Sequence, residues 1–286
     1  MAKKEPTRKQ FIDPWKTMAN NWNLFCSPGR PSPKNILDYE KLFKPNLKKI
    51  KNPKILILGA TPEIRDLLNK FKKAEVTICD INIEMILAMT ELMKNKKAVK
   101  REIWVKASWK NMPLKKNYYD VILGDYVTSA FPLKNHAELF NKLRSVLSKK
   151  GCFVSRIFFY NPEAVEDFNE VANKYLNKKV TPRTITNFWM EAYFRGPYKK
   201  GGILSGKKFK EKMNIYVKKN SKIKPLFNKL DQVLSPYNKD YNFCSLKETE
   251  KSLKKHFIIK EKLPEINTTL SKNTFIYKLS PKKQYA

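Results

Sequence analysis

Four apolar runs in this chain end in residues that can do chemistry. Lys54-Ile-Leu-Ile-Leu runs into Gly59, Glu75-Val-Thr-Ile-Cys into Asp80, Glu102-Ile-Trp-Val-Lys-Ala into Ser108-Trp109, and Tyr119-Asp-Val-Ile-Leu into Gly124-Asp125. A carboxylate about twenty residues beyond a strand-end glycine can accept both hydroxyls of a ribose, and the glycine lets a ligand approach the backbone. Asp125 is the candidate base or acceptor-orienting group, with Tyr126 second. His136, on the helix that follows, reads more simply as a surface residue. No Gly-x-Gly-x-x-Gly follows the first run. The loop reads Gly59-Ala60-Thr61-Pro62-Glu63. Pro62 has no N–H, Thr61 can satisfy a further donor as N-cap, and Glu63 adds negative charge. A pyrophosphate is disfavoured at such a helix start, and a nucleoside cofactor without phosphate fits better.

The elements that hold these ends follow from pattern. Short buried runs are expected as strands over 54–59, 75–80, 102–107, 119–124 and 151–159. Helices are expected between them, over 61–71, 82–94 and 133–147, the first opened by Thr61 as N-cap and Pro62 in the first turn. The alternation predicts an α/β fold: a Rossmann-like, doubly wound, mostly parallel sheet. In such sheets ligands bind beyond the carboxyl ends of the strands, where all four spots fall.

Around this core the sequence divides into an N-terminal helical cap (1–50), the core (51–160), a mostly helical insertion (161–245) and a C-terminal segment (246–286) that completes the sheet with an antiparallel last strand. The cap holds Trp15, Met18, Trp22 and Leu24 at helical spacing, then a helix opened by Ser32-Pro33. The insertion is expected to be helical over 162–176, 182–194 and 221–234, with a Gly-rich turn at 196–206. Its aromatics Phe188, Trp189, Tyr193, Phe194, Tyr198 and Tyr216 read first as helix core and second as a substrate wall. Arg183, Arg195, Lys199 and Lys200 could meet an anionic acceptor.

Composition narrows the class. The 286 residues are 42% hydrophobic, enough for a sizeable core. No apolar run reaches membrane-spanning length, and no apolar stretch follows the N-terminus as a secretory signal would. Cys26, Cys79, Cys152 and Cys244 are far apart and only two histidines exist. A disulfide framework or metal site is therefore not expected, and a cytoplasmic location is. The net charge of +33 suits a polyanion partner such as nucleic acid. Lysines outnumber arginines 51 to 8, and basic residues are spread along the whole chain, which equally suits a lysine-rich composition. Oligomeric state is left open.

Taken in order, Lys-Ile-Leu-Ile-Leu-Gly-Ala-Thr-Pro-Glu-Ile, Ile-Cys-Asp-Ile-Asn-Ile-Glu-Met-Ile, Ala-Ser-Trp-Lys-Asn-Met-Pro-Leu and Tyr-Asp-Val-Ile-Leu-Gly-Asp-Tyr resemble the class I S-adenosylmethionine-dependent methyltransferases. They are most similar to a subgroup whose first loop reads Leu-Gly-x-Thr-Pro-Glu. Trp22, Arg30-Pro-Ser32 and Asp38-Tyr-Glu40 add to that likeness. The resemblance implies S-adenosyl-L-methionine as cofactor, with Gly59, Ala60 and Thr61 along its methionine part and Asp80 on the ribose. Ile81 and Met85 would flank the adenine, Ser108 and Trp109 would stand at its edge, and Gly124 and Asp125 would lie beside the methyl group. Arg30 would pair with the cofactor carboxylate. Relatives often carry an acid where Ser108 stands, so the adenine amine loses a partner here.

The expected activity is methyl transfer to a small molecule or metabolite. Alternatives are an RNA methyltransferase, favoured by charge, and a non-catalytic relative that binds cofactor or partner without turnover. An aminopropyl transferase is disfavoured because residues 126–133 contain no further carboxylate to hold a polycationic acceptor.

Overall fold

The computed structural model describes residues 20–161, 166–194, 203–234, 240–266 and 273–282. Strands β1 (Lys54–Leu58), β2 (Glu75–Asp80), β3 (Glu102–Lys106), β4 (Tyr119–Asp125) and β5 (Leu147–Phe158) run parallel. Strands β8 (Phe257–Pro264) and β9 (Thr274–Pro281) close the sheet in the order β3-β2-β1-β4-β5-β9-β8, with β9 antiparallel to both neighbours. The order reverses between β2-β1 and β4, the place where this architecture opens a crevice. The expected Rossmann-like sheet is thus present, and its last strand, β9, is the one that runs against the others in that sheet.

Central β1 explains the layering. Ile55 and Ile57 belong to one core cluster and Leu56 and Leu58 to the other, all at most 1% exposed. A strand buried on both faces needs this continuous apolar run. Helices α1 (Pro33–Leu47), α2 (Pro62–Leu68) and α3 (Ile83–Glu91) cover one face, and α4 (His136–Val146) and α9 (Leu246–His256) the other. Ser32 and Asn35 cap α1 reciprocally: the side chain of each accepts the other's backbone N–H, which satisfies two donors that the first turn would otherwise leave open. At the sheet's edge Arg65 of α2 is fully buried against Glu102 of β3 (Nε–Oε1 3.0 Å) and also donates to Thr90 of α3 (2.8 Å), tying three elements together.

The stretch expected as an insertion contains helices α5 (Phe168–Asn173), α6 (Pro182–Phe194), α7 (Gly206–Lys219) and α8 (Lys224–Leu234). Two differences from expectation stand out. Residues 206–219 form a helix that the Gly-rich reading misses, and β6 (Ile203–Ser205) pairs with β7 (Asp240–Asn242) in a small second sheet. The insertion's aromatics pack on one another: Phe188 stacks on Phe227 at 5.2 Å, and Phe168 meets Phe209 at 5.9 Å and Tyr216 at 6.0 Å. Phe188, Trp189, Tyr193 and Tyr216 are buried, so core packing describes them. Arg183 is exposed. The side chain of Phe194, and Arg195, Tyr198, Lys199, Lys200, Trp15 and Met18, lie outside the described residues.

Candidate active site

Gly59 stands at the carboxyl end of β1 with φ +89°, in the left-handed region that glycine adopts without steric cost. Its N–H donates to the Cys79 carbonyl at 2.9 Å, which continues the β1–β2 ladder by one residue. A Cβ at Gly59 would point between two side chains, 3.6 Å from Cζ2 of Trp109 and 3.9 Å from Oδ2 of Asp80. Two further sequence-predicted site residues, Asp80 and Trp109, therefore meet beside Gly59. Trp109 is held there because its Nε1 donates to the same Cys79 carbonyl at 2.7 Å. Asp80 is oriented by the Asn82 N–H, which donates to its Oδ1 at 2.8 Å. Asn82 in turn caps α3 by accepting from the Glu84 N–H at 3.0 Å.

Ala60 is buried, Thr61, Met85 and Ser108 are half-buried, and Ile81 is 51% exposed beside Asp80. Thr61 sits at the cap position of α2, but its side chain makes no capping hydrogen bond. Its expected role as a side-chain cap is corrected accordingly, because its φ of −50° and ψ of 114° depart from the usual cap conformation.

This donor set fits S-adenosylmethionine. Asp80 would present a carboxylate to a ribose, and the Cβ that Gly59 lacks leaves space between Asp80 and Trp109. Pro62 opens α2 with a missing donor, which suits a cofactor without phosphate, while the charge of Glu63 at the same turn is met by Arg30.

The expected acid–base residues are placed differently. Both oxygens of Asp125 accept from Arg156, Nε to Oδ1 and an Nη to Oδ2, each at 2.8 Å. Each oxygen keeps a second lone pair, but the buried guanidinium makes the carboxylate its counter-ion, so the geometry favours an anchoring role over the expected one of base. Tyr126 adopts φ 55°, a costly conformation for a bulky residue. Its hydroxyl donates to the Pro28 carbonyl at 3.0 Å, and Arg156 lies 4.3 Å from its ring centroid. Burial holds its phenol well above the usual range, which removes it as a base near neutrality.

Arg156 was not legible as a functional residue. It also donates to Glu265 at 3.1 Å, while Tyr39 donates to the Gly124 carbonyl at 2.7 Å and accepts from the Arg156 N–H at 2.8 Å. Arg30 pairs with Glu63 (Nε–Oε1 2.6 Å) and lies over Trp22. Its guanidinium is therefore committed to the chain's own acid, a correction to its expected use on a cofactor carboxylate. His136 is buried rather than at the surface, its Nε2 within 3.3 Å of the Thr128 carbonyl and 3.2 Å of the Phe131 carbonyl. Burial pushes the thiols of Cys79 and Cys152 up to about 12 and that of Cys244 to about 11, so none of the three is an activated nucleophile.

The described residues contain no group of three or more His, Cys, Asp or Glu side chains able to hold a metal, and no helix long and apolar enough to cross a membrane. Residues 58–151, about a third of the chain, match the model of a methyltransferase domain. No curated protein sequence matches the chain. Among solved structures, a provisionally named Zn-dependent alcohol dehydrogenase from Rhodobacter sphaeroides superimposes with TM-score 0.60 at 13% identity, covering 96% of this chain and 100% of its own. An S-adenosyl-L-methionine-dependent methyltransferase from Methanosarcina mazei does so at 0.51 and 12%, covering 89% and 100%. A provisionally assigned one from Methanococcus maripaludis does so at 0.50 and 14%, covering both chains fully. At these identities the likeness is one of fold. Residues 58–151 thus match a methyltransferase domain in sequence, and the chain has a Rossmann-like fold that it shares with structures described as S-adenosylmethionine-dependent methyltransferases.

Proposed function

We propose that the chain transfers a methyl group from S-adenosylmethionine to a small-molecule acceptor. The observation that carries this reading is the meeting of Asp80 and Trp109 around Gly59 at the ends of the central strands. Asp80 would bind the ribose hydroxyls, with Ile81, Met85, Ser108 and Trp109 around the adenine. Gly59, Ala60 and Thr61 would line the methionine part, and Gly124 would border the methyl group. When bound, the cofactor supplies an already activated methyl group, so the chain's work is to hold the acceptor in line and to exclude water.

Asp125 and Tyr126 would shape that acceptor site rather than deprotonate. With both engaged by Arg156 and Pro28, the reading favours an acceptor whose attacking atom already carries a free lone pair. The same observation favours a second reading, in which the chain binds the cofactor without turnover.

Calorimetry with S-adenosylhomocysteine tests the site. Asp80→Ala is expected to weaken binding by about 1–3 kcal/mol, the range for hydrogen bonds to a charged group. Unchanged affinity rejects this placement of the ribose. Labelled methyl transfer into metabolite and RNA fractions of a cell extract then separates turnover from binding alone.

A further inference from the structure

Basic residues are spread along the whole chain, eight to eleven in each successive fifty-residue stretch, but the net charge is uneven at the scale of a helix. Residues 206–234 hold nine lysines, one glutamate and one aspartate, about a fifth of the chain's net charge in about a tenth of its length. They form α7, a short turn and α8, whose apolar faces are turned inward: Phe209, Met213, Tyr216, Leu226, Phe227 and Leu230 are buried. The lysines are what these two helices leave outside. Lys208 and Lys219 are exposed and Lys212 is half-exposed. At 100° per residue the three follow one stripe of α7, about 16 Å long at 1.5 Å per residue. Lys218, Lys222, Lys224 and Lys229 extend the field onto the turn and α8.

Little within the chain neutralises it. Lys207 pairs with Glu211 and Lys210 with Asp231, whereas Lys208, Lys212, Lys218, Lys219, Lys222 and Lys224 pair with no carboxylate among the described residues. The first turn of α7 contains no acid, so Lys207 and Lys208 stand against the helix dipole. An external polyanion would relieve an arrangement that is unfavourable in the free protein.

We infer that the α7–α8 surface binds the phosphodiester backbone of nucleic acid, independently of the cofactor site. A protein partner fits less well, because lysine is depleted from protein interfaces and aromatic and arginine anchors are enriched there. A membrane surface fits less well, because a helix lying in a bilayer interface needs its apolar face free. That of α7 is buried and only Ile215 stands out among its exposed residues. Without any arginine in 206–230 the contacts are point charges on phosphates, so binding is blind to base sequence and falls steeply with salt.

The test uses the full chain and a labelled oligouridine of about 20 nucleotides, read by fluorescence anisotropy across salt concentrations. Lys208→Glu/Lys212→Glu/Lys219→Glu is compared with Lys94→Glu/Lys97→Glu/Lys100→Glu, an equal charge change on exposed residues elsewhere. The α7 variant is expected to lose about tenfold or more in affinity, and its salt slope to fall by about two, as three lost phosphate contacts on a single strand require. The control variant is expected to stay within about threefold. Equal losses in both variants overturn the inference in favour of overall charge. So does wild-type binding to phosphatidylserine vesicles with none to the oligonucleotide. Matching melting curves establish that each variant folds.

Discussion

Arg156 grips Asp125 through two parallel hydrogen bonds of 2.8 Å, both residues lying at the top of adjacent strands β4 and β5, where Asp125 and Arg156 are register partners. The pair is almost wholly out of water, with side-chain exposures of 0% and 8%. Glu265 adds a second buried carboxylate to the same guanidinium. Arg156→Met would strand both acids. The expected cost is about 3–5 kcal/mol, as for other buried pairs that lose one partner. Urea unfolding measures it, and a loss below about 1 kcal/mol would show that the acids find water instead.

Gly59 and Gly124 are both required, for different physical reasons. Gly59→Ala meets no close atom but must keep a left-handed backbone, at about 1–2 kcal/mol. A Cβ at Gly124 would overlap the Val127 side chain, an overpacking cost of about 1–3 kcal/mol. Adding Val127→Ala should therefore recover part of the Gly124→Ala loss. Trimming Trp109 should recover none of the Gly59→Ala loss, and thermal melts of the four variants decide both statements.

Stability should depend on pH through the buried histidines. Burial lowers the folded-state pKa of His136 from the ordinary 6.5, and burial with nearby Arg144, Lys255 and Lys282 lowers that of His256. Above 6.5 both are neutral in either state and cost nothing. Below it the unfolded chain takes up protons that the folded chain refuses, so stability falls as pH drops. His136→Gln keeps a donor for the Thr128 and Phe131 carbonyls and should flatten the decline between about pH 7 and 5. Urea midpoints across that range check it. An unchanged slope would place the pH dependence elsewhere.

Trp109 should report on the cofactor. Its indole is fixed beside Gly59 and Asp80, so S-adenosylhomocysteine binding should change the chain's tryptophan fluorescence. Trp109→Phe should abolish most of that change while leaving a ring beside the glycine. A signal of wild-type size in the variant would locate it on another tryptophan.

The strand ends were readable because their causes are local. Each run is short and apolar and ends at a glycine or a polar residue, and the parallel pattern places all such ends on one edge. The α7 helix was missed although Phe209, Met213 and Tyr216 keep helical spacing, because lysines crowd the positions between them and glycines precede them. His136 was misplaced because a single histidine in a helix shows no sign of which side it faces.

What the sequence determined by itself was the succession of strands along the chain and the residues at four of their ends, since periodicity and turn chemistry act between near neighbours. What only the tertiary structure decided was who holds whom. Arg156 lies 31 residues from Asp125 and 109 from Glu265, and Arg30 lies 33 from Glu63. Burying a charge requires an opposite charge at hydrogen-bonding distance. Which distant acid supplies it is settled by how the layers pack, and that packing turned two expected working groups, Asp125 and Arg30, into members of the chain's own ion pairs.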